Sequence, residues 1–483
     1  MESAKPSTSS CLIGADSTSP PVSKCLTAYF RCPDRFARLA VPADAASTPG
    51  FFQFGPETTC FGRCTGAAPS PTPDGPLPDI AGQIALHDGT LSLPFDPCEV
   101  IGNLHHEAYV GEWRSGSASV LAALYYFVRP LLSVSVRKHL QKLHFRNWEK
   151  IPFPRWPVDS SVDNLLRQLL LCSLRQSRAE AIPFIWFWPA RYSACALMTH
   201  DIETQTGRDF CSTLMDIDES WGIPASMQVV PEERYNVTPD FLDSLRSRGF
   251  EVVVHDLNHD GHLYRDRKEF LRRAARINAY LREYQADGFR AAVLYRKQVW
   301  YDALQCSFDM SVPNVARLDP QRGGCCTVMP YFLGDIVELP VTTIQDYTLF
   351  NILNDYSIDI WKQQIDAIRE KNGLMSFIVH PDYVMDPVSR EVYELLLSHL
   401  AALRKEQNVW ITLPGELNRW WRQRAAMRIV ETPDGWRIEG AGSDRACLAW
   451  ASEHNGQLAF SPDPPPSGHF SPDASSHKAG MFS

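Results

Sequence analysis

Three short groups of acids and histidines each follow an apolar stretch of this sequence. They are Thr199-His200-Asp201-Ile202-Glu203, the segment from His255 to His262 that includes His259, and His380-Pro381-Asp382. Two carboxylates two residues apart can do different work, one as a cation ligand and one as a base. An imidazole can bind a metal or exchange a proton near neutral pH. Together these residue types could bind a divalent ion and transfer protons.

The second group has the most informative spacing. Three imidazoles within eight residues, directly after an apolar strand, are hard to explain by packing. On a helical turn His255 and His259 would share one face, as two ligands of one metal must. His262 also lies about one turn from His259, so the spacing leaves open which of the three imidazoles would share a metal. The structural alternative is a solvent-exposed polar loop.

The other two groups also have structural alternatives. Asp201 and Glu203 could cap a helix or form a salt bridge, because short polar loops often hold acids. His380 stands at the end of an apolar strand, where its pKa suits a general acid. A structural hydrogen bond would explain His380 equally well.

These groups must be positioned by the short apolar segments that alternate with amphipathic helices between about 184 and 421. The clearest helix is 268–284, where apolar residues recur at i, i+3 and i+4. Such alternation predicts an α/β fold with a mostly parallel sheet or barrel. Functional side chains are then expected where strands end and loops begin. The strand candidates are 194–198, 225–230, 251–254, 336–339, 374–379 and 409–412.

Residues 25–183 are predicted to form an N-terminal accessory region of mixed α/β structure. Apolar periodicity predicts helices at 120–128 and 162–174. A Pro-rich linker is expected near 66–78, because prolines remove backbone donors and restrict regular packing.

The main domain is expected at 184–425 and is followed by a small β appendage at 426–461. The appendage contains three short apolar segments separated by Pro-Asp-Gly and Gly-Ser-Asp turns. Residues 1–24 and 462–483 are rich in Ser, Pro and Gly and are predicted to be disordered tails.

The composition is that of an ordinary globular protein. Of 483 residues, 44% are apolar and 21% are charged, and a formal net charge of -9 argues against nucleic-acid binding. No apolar run reaches the roughly 20 residues that a membrane crossing needs. The first 21 residues lack the cationic start and apolar segment of a secretory signal, so a cytoplasmic location is expected. The thirteen cysteines are scattered, and most are expected to be small buried hydrophobes.

In their order, the three groups resemble the motifs of the polysaccharide deacetylases, the NodB homology domain of the carbohydrate esterase family 4 superfamily. That family carries an acidic motif after Thr or Ser, a His-x-x-x-His motif, an Arg motif with a downstream Trp, and a strand that ends in His. Here the second motif reads Gly249-Phe-Glu-Val-Val-Val-His255 through Asn258-His-Asp-Gly261, and the third reads Gly288-Phe-Arg290 with Trp300. The resemblance covers roughly residues 184–421.

Two positions depart from the family pattern. Ile202 separates two acids that are adjacent in the commonest form, and Ala follows Arg290 where Pro is common. The acid-x-acid form occurs in the peptidoglycan-deacetylase-like and allantoinase-like branches of the superfamily. Arg296 is an alternative to Arg290.

The resemblance implies an irregular (β/α) barrel and a role for each matched residue. Asp201 would be the base, oriented by Arg290, and His380 would protonate the leaving amine. The resemblance further implies a divalent metal, zinc first, held by Glu203, His255 and His259, with His262 as the alternative to Glu203. It also implies a substrate contact from Trp300. Tyr295 is an aromatic candidate for a second substrate contact. Tyr347 and Tyr383 are further aromatic candidates for a sugar contact, and Glu338 and Asp346 are candidate supporting acids.

The expected function is removal of acetyl groups from an N-acetylated sugar or polysaccharide, with no nucleic-acid partner. Two alternatives remain open. One is a hydrolase of the same fold that acts on a small cyclic amide, as in the allantoinase-like branch. The other is a sugar-binding module without catalysis.

Overall fold

The computed structural model of the chain describes residues 22–42, 48–87, 90–110, 145 and 147–464. Most of both expected tails, and the helix expected at 120–128, lie outside the described residues. Among the described residues, no helix combines the length and the hydrophobicity needed to cross a bilayer.

In its described residues the accessory region combines short strands with three α-helices. Strands β1, β5 and β4 form one small sheet, and β2 and β3 form a hairpin. The helix expected at 162–174 corresponds to α3, which buries its leucines at i and i+4 spacing. In chain order the elements are α1 (Lys24–Phe30), β1 (Leu39–Ala40), β2 (Gly50–Gln53), β3 (Thr59–Gly62), β4 (Ala85–His87), β5 (Thr90–Ser92), α2 (Pro97–His105), α3 (Ser161–Ser177) and β6 (Ala181–Ile185).

The Pro-rich segment expected to be a linker packs along the edge of β2. Phe51 and Ser70 exchange backbone hydrogen bonds, and the nitrogen of Gln53 donates to the carbonyl of Pro78 at 2.8 Å. A proline lacks an N–H but keeps its carbonyl, so it can still accept from a strand edge. This segment therefore belongs to the accessory region and does not separate two parts of it.

The main domain is an irregular (β/α) barrel, as the resemblance implied. Its sheet has the order β12-β13-β11-β10-β9-β8-β7-β14, all neighbours being parallel except β12 and β13. Strand β15 also pairs with β7, beside the first half of that strand. In chain order the elements are β7 (Ala194–Ile202), α4 (Gln205–Ser220), β8 (Ala225–Val229), α5 (Pro239–Ser247), β9 (Glu251–His255), α6 (Arg267–Glu283), β10 (Gly288–Arg290), β11 (Phe308–Asp309), β12 (Tyr331–Leu333), β13 (Ile336–Glu338), α7 (Asp359–Glu370), β14 (Leu374–Val379), α8 (Pro381–Val384), α9 (Pro387–Glu406), β15 (Val409–Ile411) and α10 (Pro414–Ala426).

The barrel closes through side chains rather than through a regular strand pair. Beyond β11, Asn314 donates its backbone N–H to the carbonyl of Val341. The hydroxyls of Thr342 and Thr343 then donate to carbonyls of β14, each at 2.7 Å. Residues 341–343 thus bridge the two ends of the sheet.

The six predicted strands coincide with strands of the structure, but β10, β11 and β12 were not predicted as strands. They are only three, two and three residues long, which is too short for a hydrophobic period to appear. The close pairing of β10 and β11 explains Gly288, since a Cβ there would lie 2.2 Å from the ring of Phe308.

The C-terminal strands are not an independent appendage. Strand β18 pairs antiparallel with β6 of the accessory region as well as with β19. The ring of Phe460 packs against Phe30 and Phe184. The strands are β16 (Arg428–Thr432), β17 (Gly435–Glu439), β18 (Leu448–His454) and β19 (Gln457–Ser461).

Candidate active site

The end of β7 sends alternate side chains to opposite sides of the sheet. Asp201 and Glu203 face the barrel interior, whereas His200 and Ile202 face the surrounding helices. His200 Nε2 lies 2.8 Å from Asp218 Oδ2 on α4, so this imidazole links β7 to the helix that packs against it. Because side chains alternate along an extended chain, one intervening residue lets both acids face the same site.

Arg290 fixes the orientation of Asp201. Its buried guanidinium donates from one nitrogen to Asp201 Oδ1 at 2.6 Å and to Thr199 Oγ1 at 2.8 Å, and from Nε to the carbonyl of Met310 at 3.1 Å. Burial alone would raise the pKa of Asp201, but the charge of Arg290 and the nearby imidazoles hold it below its usual value. The second oxygen, Oδ2, lies 3.6 Å from His255 Nε2. Asp201 is therefore an ionised, rigidly held carboxylate that faces the histidines.

His255 and His259 meet through an irregular loop, and the helical turn expected to bring them together is absent. His255 ends β9, and its Nδ1 lies 3.2 Å from the carbonyl oxygen of Arg290. The backbone then takes left-handed conformations at Asp256 (φ 55°) and His259 (φ 53°). These bends place the two imidazole rings with their centroids 4.8 Å apart.

Arg273 on α6 supports this loop from beneath. It donates to both carboxylate oxygens of Asp260 at 2.7 Å and to Asn258 Oδ1 at 3.0 Å. Arg234 donates to the carbonyl of His259 at 2.6 Å and lies 3.2 Å from its Nδ1. The position of His259 is thus set by groups outside the pocket, as is common for metal-binding histidines.

Glu203, His255 and His259 could together hold a cation. Their ligand atoms lie within 4.8 Å of one another, and Glu203 Oε1 is 2.8 Å from His259 Nε2 and 3.9 Å from His255 Nε2. Both Nε2 atoms are buried and face the carboxylate of Glu203. Burial alone would raise the pKa of Glu203, but the imidazoles, His259 first, hold it well below its usual value. Two imidazoles and one carboxylate fit a divalent ion such as zinc.

His262, the alternative third ligand, does not join this trio. Its side chain is 53% exposed, and its Nδ1 lies 3.4 Å from Asp260 Oδ2 on the far side of the loop. The loop bends between His259 and His262, so one-turn spacing does not bring them to one face.

Asp346 holds His380 from two directions. The imidazole Nδ1 lies 2.6 Å from Asp346 Oδ1, and the backbone N–H of His380 donates to Oδ2 at 2.7 Å. The other ring nitrogen, Nε2, lies 3.5 Å from Glu203 Oε1. Burial alone would lower the pKa of His380, but Asp346 and then Glu203 raise it well above its usual value. The carboxylates around His380 therefore favour its protonated form.

An open pocket of about 150 Å³ leads to these side chains. The rings of Tyr347 and Tyr383 lie 5.6 Å apart beside His380. On the opposite wall, Gln345 donates to Asp319 at 3.3 Å, and burial raises the pKa of Asp319 to about 6. The pocket is lined by Phe145, Glu203, His259, Val293, Leu318, Asp319, Pro320, Gln345, Tyr347, Thr348, Ile352, His380 and Tyr383.

Neither aromatic residue predicted for substrate binding is among the described residues that line this pocket. Trp300 packs against Phe270, with ring centroids 5.4 Å apart, and the Lys297 ammonium lies 4.2 Å from the ring. The ring of Tyr295 lies against Gly261 in the histidine loop. The family spacing led to Trp300, but in this chain its ring covers α6.

Two further candidates have other partners. Arg296 forms a buried ion pair with Glu107 of the accessory region, so it does not share the work of Arg290. Glu338 accepts from the backbone N–H of Val312 on the outer face of the sheet. Burial, and then the neighbouring acid Asp309, raise the pKa of Glu338 well above its usual value. Glu338 therefore does not support the histidine cluster.

Solved structures are similar to part of this chain at low sequence identity, whereas no family model and no curated protein matches it. A structure described as a polysaccharide deacetylase from Mycobacterium smegmatis is 17% identical and covers 49% of this chain and 93% of its own, with a TM-score of 0.40. The PuuE allantoinase is 12% identical and covers 49% of this chain and 92% of its own, with a TM-score of 0.38. The peptidoglycan deacetylase PdaC from Bacillus subtilis is also 12% identical and covers 49% of this chain and 95% of its own, with a TM-score of 0.32. The similarity to deacetylases suspected from the motifs is thus also found among solved structures.

Several side chains of the site were not singled out by their sequence context. Thr199 and Arg273 act through contacts with residues 91 and 13 positions away, and no local pattern reports such contacts. Asp319 follows no predicted strand. Asp346 does stand near the end of a polar stretch, but the sequence could not distinguish it from Glu338 as the acid that supports His380.

Proposed function

We propose that this protein is a metal-dependent hydrolase that removes acetyl groups from N-acetylated carbohydrate. One arrangement carries the proposal. A carboxylate held by arginine, Asp201, and an imidazole held by a carboxylate, His380, both adjoin the trio of Glu203, His255 and His259. Metal-assisted hydrolysis of an amide uses a base, an acid and a cation in one pocket. A module that only binds sugar needs no separately held acid and base.

Glu203, His255 and His259 would hold the divalent ion, with zinc the first candidate. When bound, the ion supplies Lewis-acid polarisation of the acetyl carbonyl and makes water a better nucleophile. Glu203 is suited to this role because it stays ionised beside the two imidazoles.

The proton transfers belong to Asp201 and His380. Asp201 Oδ2 accepts a proton from the attacking water, while Arg290 holds the other oxygen and prevents rotation of the carboxylate. His380 donates its Nε2 proton to the leaving amine nitrogen as the C–N bond breaks. Because Asp346 accepts from Nδ1, the imidazole presents Nε2 to the pocket. The products are acetate and a free amine.

The pocket walls suit a sugar as the group that carries the acetamide. Tyr347 and Tyr383 offer aromatic surface beside His380 on which the apolar face of a pyranose can lie. Asp319 and Gln345 offer a carboxylate and an amide to hydroxyl groups. An open rather than enclosed pocket leaves room for a substrate longer than one sugar.

The proposal is tested by measuring zinc binding and acetate release with the same protein. We expect calorimetry on the metal-free chain to show one zinc ion bound, and N-acetylated sugars and oligosaccharides to yield acetate. Asp201→Asn is expected to lower kcat by roughly 10³-fold or more and to leave zinc affinity within a few fold, because this carboxylate is the base and not a ligand. His259→Ala is expected to abolish both zinc binding and acetate release.

His262→Ala is the matched control, since it removes an imidazole of the same loop that lies outside the trio. Zinc affinity and turnover should both stay close to those of the wild type. Absence of zinc binding together with absence of acetate release would overturn the proposal. Hydrolysis of a cyclic amide in place of acetamides would favour the allantoinase-like alternative, and sugar binding without turnover would favour the non-catalytic one.

A further inference from the structure

Two thiols meet outside the barrel, where the first two helices of the accessory region come together. Cys25 lies in the first turn of α1 and Cys98 in the first turn of α2, 73 residues apart in the sequence. The backbone N–H of Cys25 points at Cys98 Sγ, with an N···S distance of 3.4 Å. A disulfide needs two neighbouring cysteines, and here the backbone of Cys25 and the sulfur of Cys98 are already in contact.

The two thiols are not equivalent. Cys98 follows Asp96 and Pro97 at the start of α2, where the Asp96 carboxylate caps the helix by accepting from the backbone N–H of Cys98. Burial and this carboxylate both oppose a negative charge on Cys98. A hydrogen bond from the Cys25 thiol, together with the backbone N–H of Cys25, lowers the pKa of Cys98 to about 7. The pKa of Cys25 is raised, because its thiol is the donor of that hydrogen bond and is also buried. Cys98 is thus the nucleophile of the pair and Cys25 the thiol beside it.

Other described cysteines lack this combination. Cys60 and Cys195 are fully buried, and burial raises the pKa of each thiol. Cys172 on α3 is half-buried like Cys25 and Cys98, yet burial raises its pKa too. A small oxidant can therefore reach Cys172, but it meets a thiol there and not a thiolate.

We propose that Cys25 and Cys98 form a thiol oxidation site that a hydroperoxide converts into an intramolecular disulfide. The Cys98 thiolate attacks the outer oxygen of the hydroperoxide, the O–O bond breaks, and a sulfenic acid forms as the alcohol or water leaves. The sulfur of Cys25 then attacks Cys98 Sγ, the S–O bond breaks, and water leaves as the S–S bond forms. Two thiols are oxidised by two electrons, and one peroxide is reduced. This site is independent of the pocket in the barrel.

The disulfide would tie α1 to α2 across a long stretch of the accessory region. Crosslinking residues so far apart in sequence restricts the unfolded chain, so the oxidised protein should melt at a higher temperature, by about 5 °C. Acetate release should be unchanged, since both helices lie away from the pocket lining.

The test treats the reduced full-length protein with hydrogen peroxide at a few equivalents. We expect peptide mapping by mass spectrometry to show a linked Cys25–Cys98 pair that has lost two hydrogens, with two fewer free thiols per chain. In Cys25→Ser, Cys98 should stop at a sulfenic acid that dimedone traps. In Cys98→Ser, Cys25 should stay reduced, and Cys172→Ser should behave as the wild type.

Three outcomes would overturn the proposal, and each can be read from the wild-type protein without relying on a variant. They are the absence of the linked peptide, oxidation of Cys98 no faster than that of Cys172, and a disulfide that joins two chains instead of one. A loss of the linked peptide under reducing conditions, by contrast, would support a reversible site.

Discussion

At the scale of single residues, the proposed base and acid are held by opposite kinds of partner. Arg290 places positive charge on Asp201 and favours its ionised form, whereas Asp346 places negative charge on His380 and favours its protonated form. Each partner is buried, so its charge is poorly screened. The two proton-transfer groups thus differ in protonation state before any substrate arrives.

Replacing Asp346 by Asn should impair proton donation and leave the metal trio intact. Asn offers one carbonyl oxygen where His380 needs two acceptors, so the imidazole loses the partner that fixes its proton and orientation. We expect kcat for acetate release to fall roughly 10²–10⁴-fold. Zinc affinity measured by calorimetry should change less than threefold or so, because Asp346 touches no member of the trio.

Asp382→Asn is the matched control for this change. It alters an acid two residues from His380 that accepts from Thr204 on the other side of α8. Its turnover should remain near the wild-type value. If Asp346→Asn weakened zinc binding as much as turnover, Asp346 would have a structural role and not a role in proton donation.

At the scale of elements, the histidine loop after β9 depends on a helix that never enters the pocket. Arg273 lies on the buried face of α6 and donates two hydrogen bonds to the carboxylate of Asp260. The loop needs such support because Asp256 and His259 adopt left-handed backbone conformations that non-glycine residues rarely take. Support from α6 is therefore expected to show in the affinity for a cation.

Arg273→Met should weaken zinc binding by roughly 10–100-fold, since the loop that carries His259 loses its anchor. Arg272→Met removes the neighbouring, exposed arginine, which shares its partner Glu269 with Arg273 but does not contact the loop residue Asp260, and it should leave zinc affinity unchanged. Calorimetric titration of both variants makes the comparison. Equal affinities in the two variants would mean that the loop holds its shape without α6.

At the scale of the whole molecule, the three regions expected from the sequence share their packing. Leu26 of α1, Leu197 of β7 and Ala451 of β18 belong to one hydrophobic cluster. The buried guanidinium of Arg424 on α10 donates to the carbonyls of Tyr29, Ile185 and Trp186 and so joins the barrel to the accessory region. Unfolding of one region would expose apolar surface of the others.

The pH dependence of global stability should contain a contribution from Glu251 at the bottom of the barrel. Burial raises the pKa of this acid to about 7, although it accepts from the backbone N–H of Gly415. Between about pH 4.5 and pH 7 the unfolded chain ionises Glu251 while the folded chain keeps it protonated. This contribution to stability is therefore complete below about pH 4 and is lost as the pH rises through 7.

Glu251→Gln should remove the fall in stability that ionisation of Glu251 causes as the pH rises. The free energy of unfolding of the variant, relative to the wild type, should rise by up to about 3 kcal/mol between about pH 5 and pH 8. Urea unfolding at both pH values measures the difference. Glu416→Gln on α10 alters an exposed acid nearby and should show almost no such change. A difference that is flat with pH for Glu251→Gln would contradict the raised pKa.

The sequence by itself determined the alternation of strands and helices and the positions where chemistry could occur. Strands such as β9 and β14 are mostly apolar runs, and a histidine ends β9 and directly follows β14, so both their type and their end are local properties. The spacing of Asp201 and Glu203 on an extended chain likewise fixed that the two acids face one way. These features depend on residues next to one another in the chain.

Only the tertiary structure decided which groups meet across long distances in the chain. In the fold Asp346, and not Glu338, contacts His380, and His262 lies outside the trio. Trp300 packs against Phe270 away from the pocket, and Cys25 contacts Cys98. Such contacts arise from the curvature of the barrel and from loops with left-handed residues, and neither leaves a periodic trace in the sequence. The sequence therefore indicated the chemistry, and the fold selected the side chains that can share it.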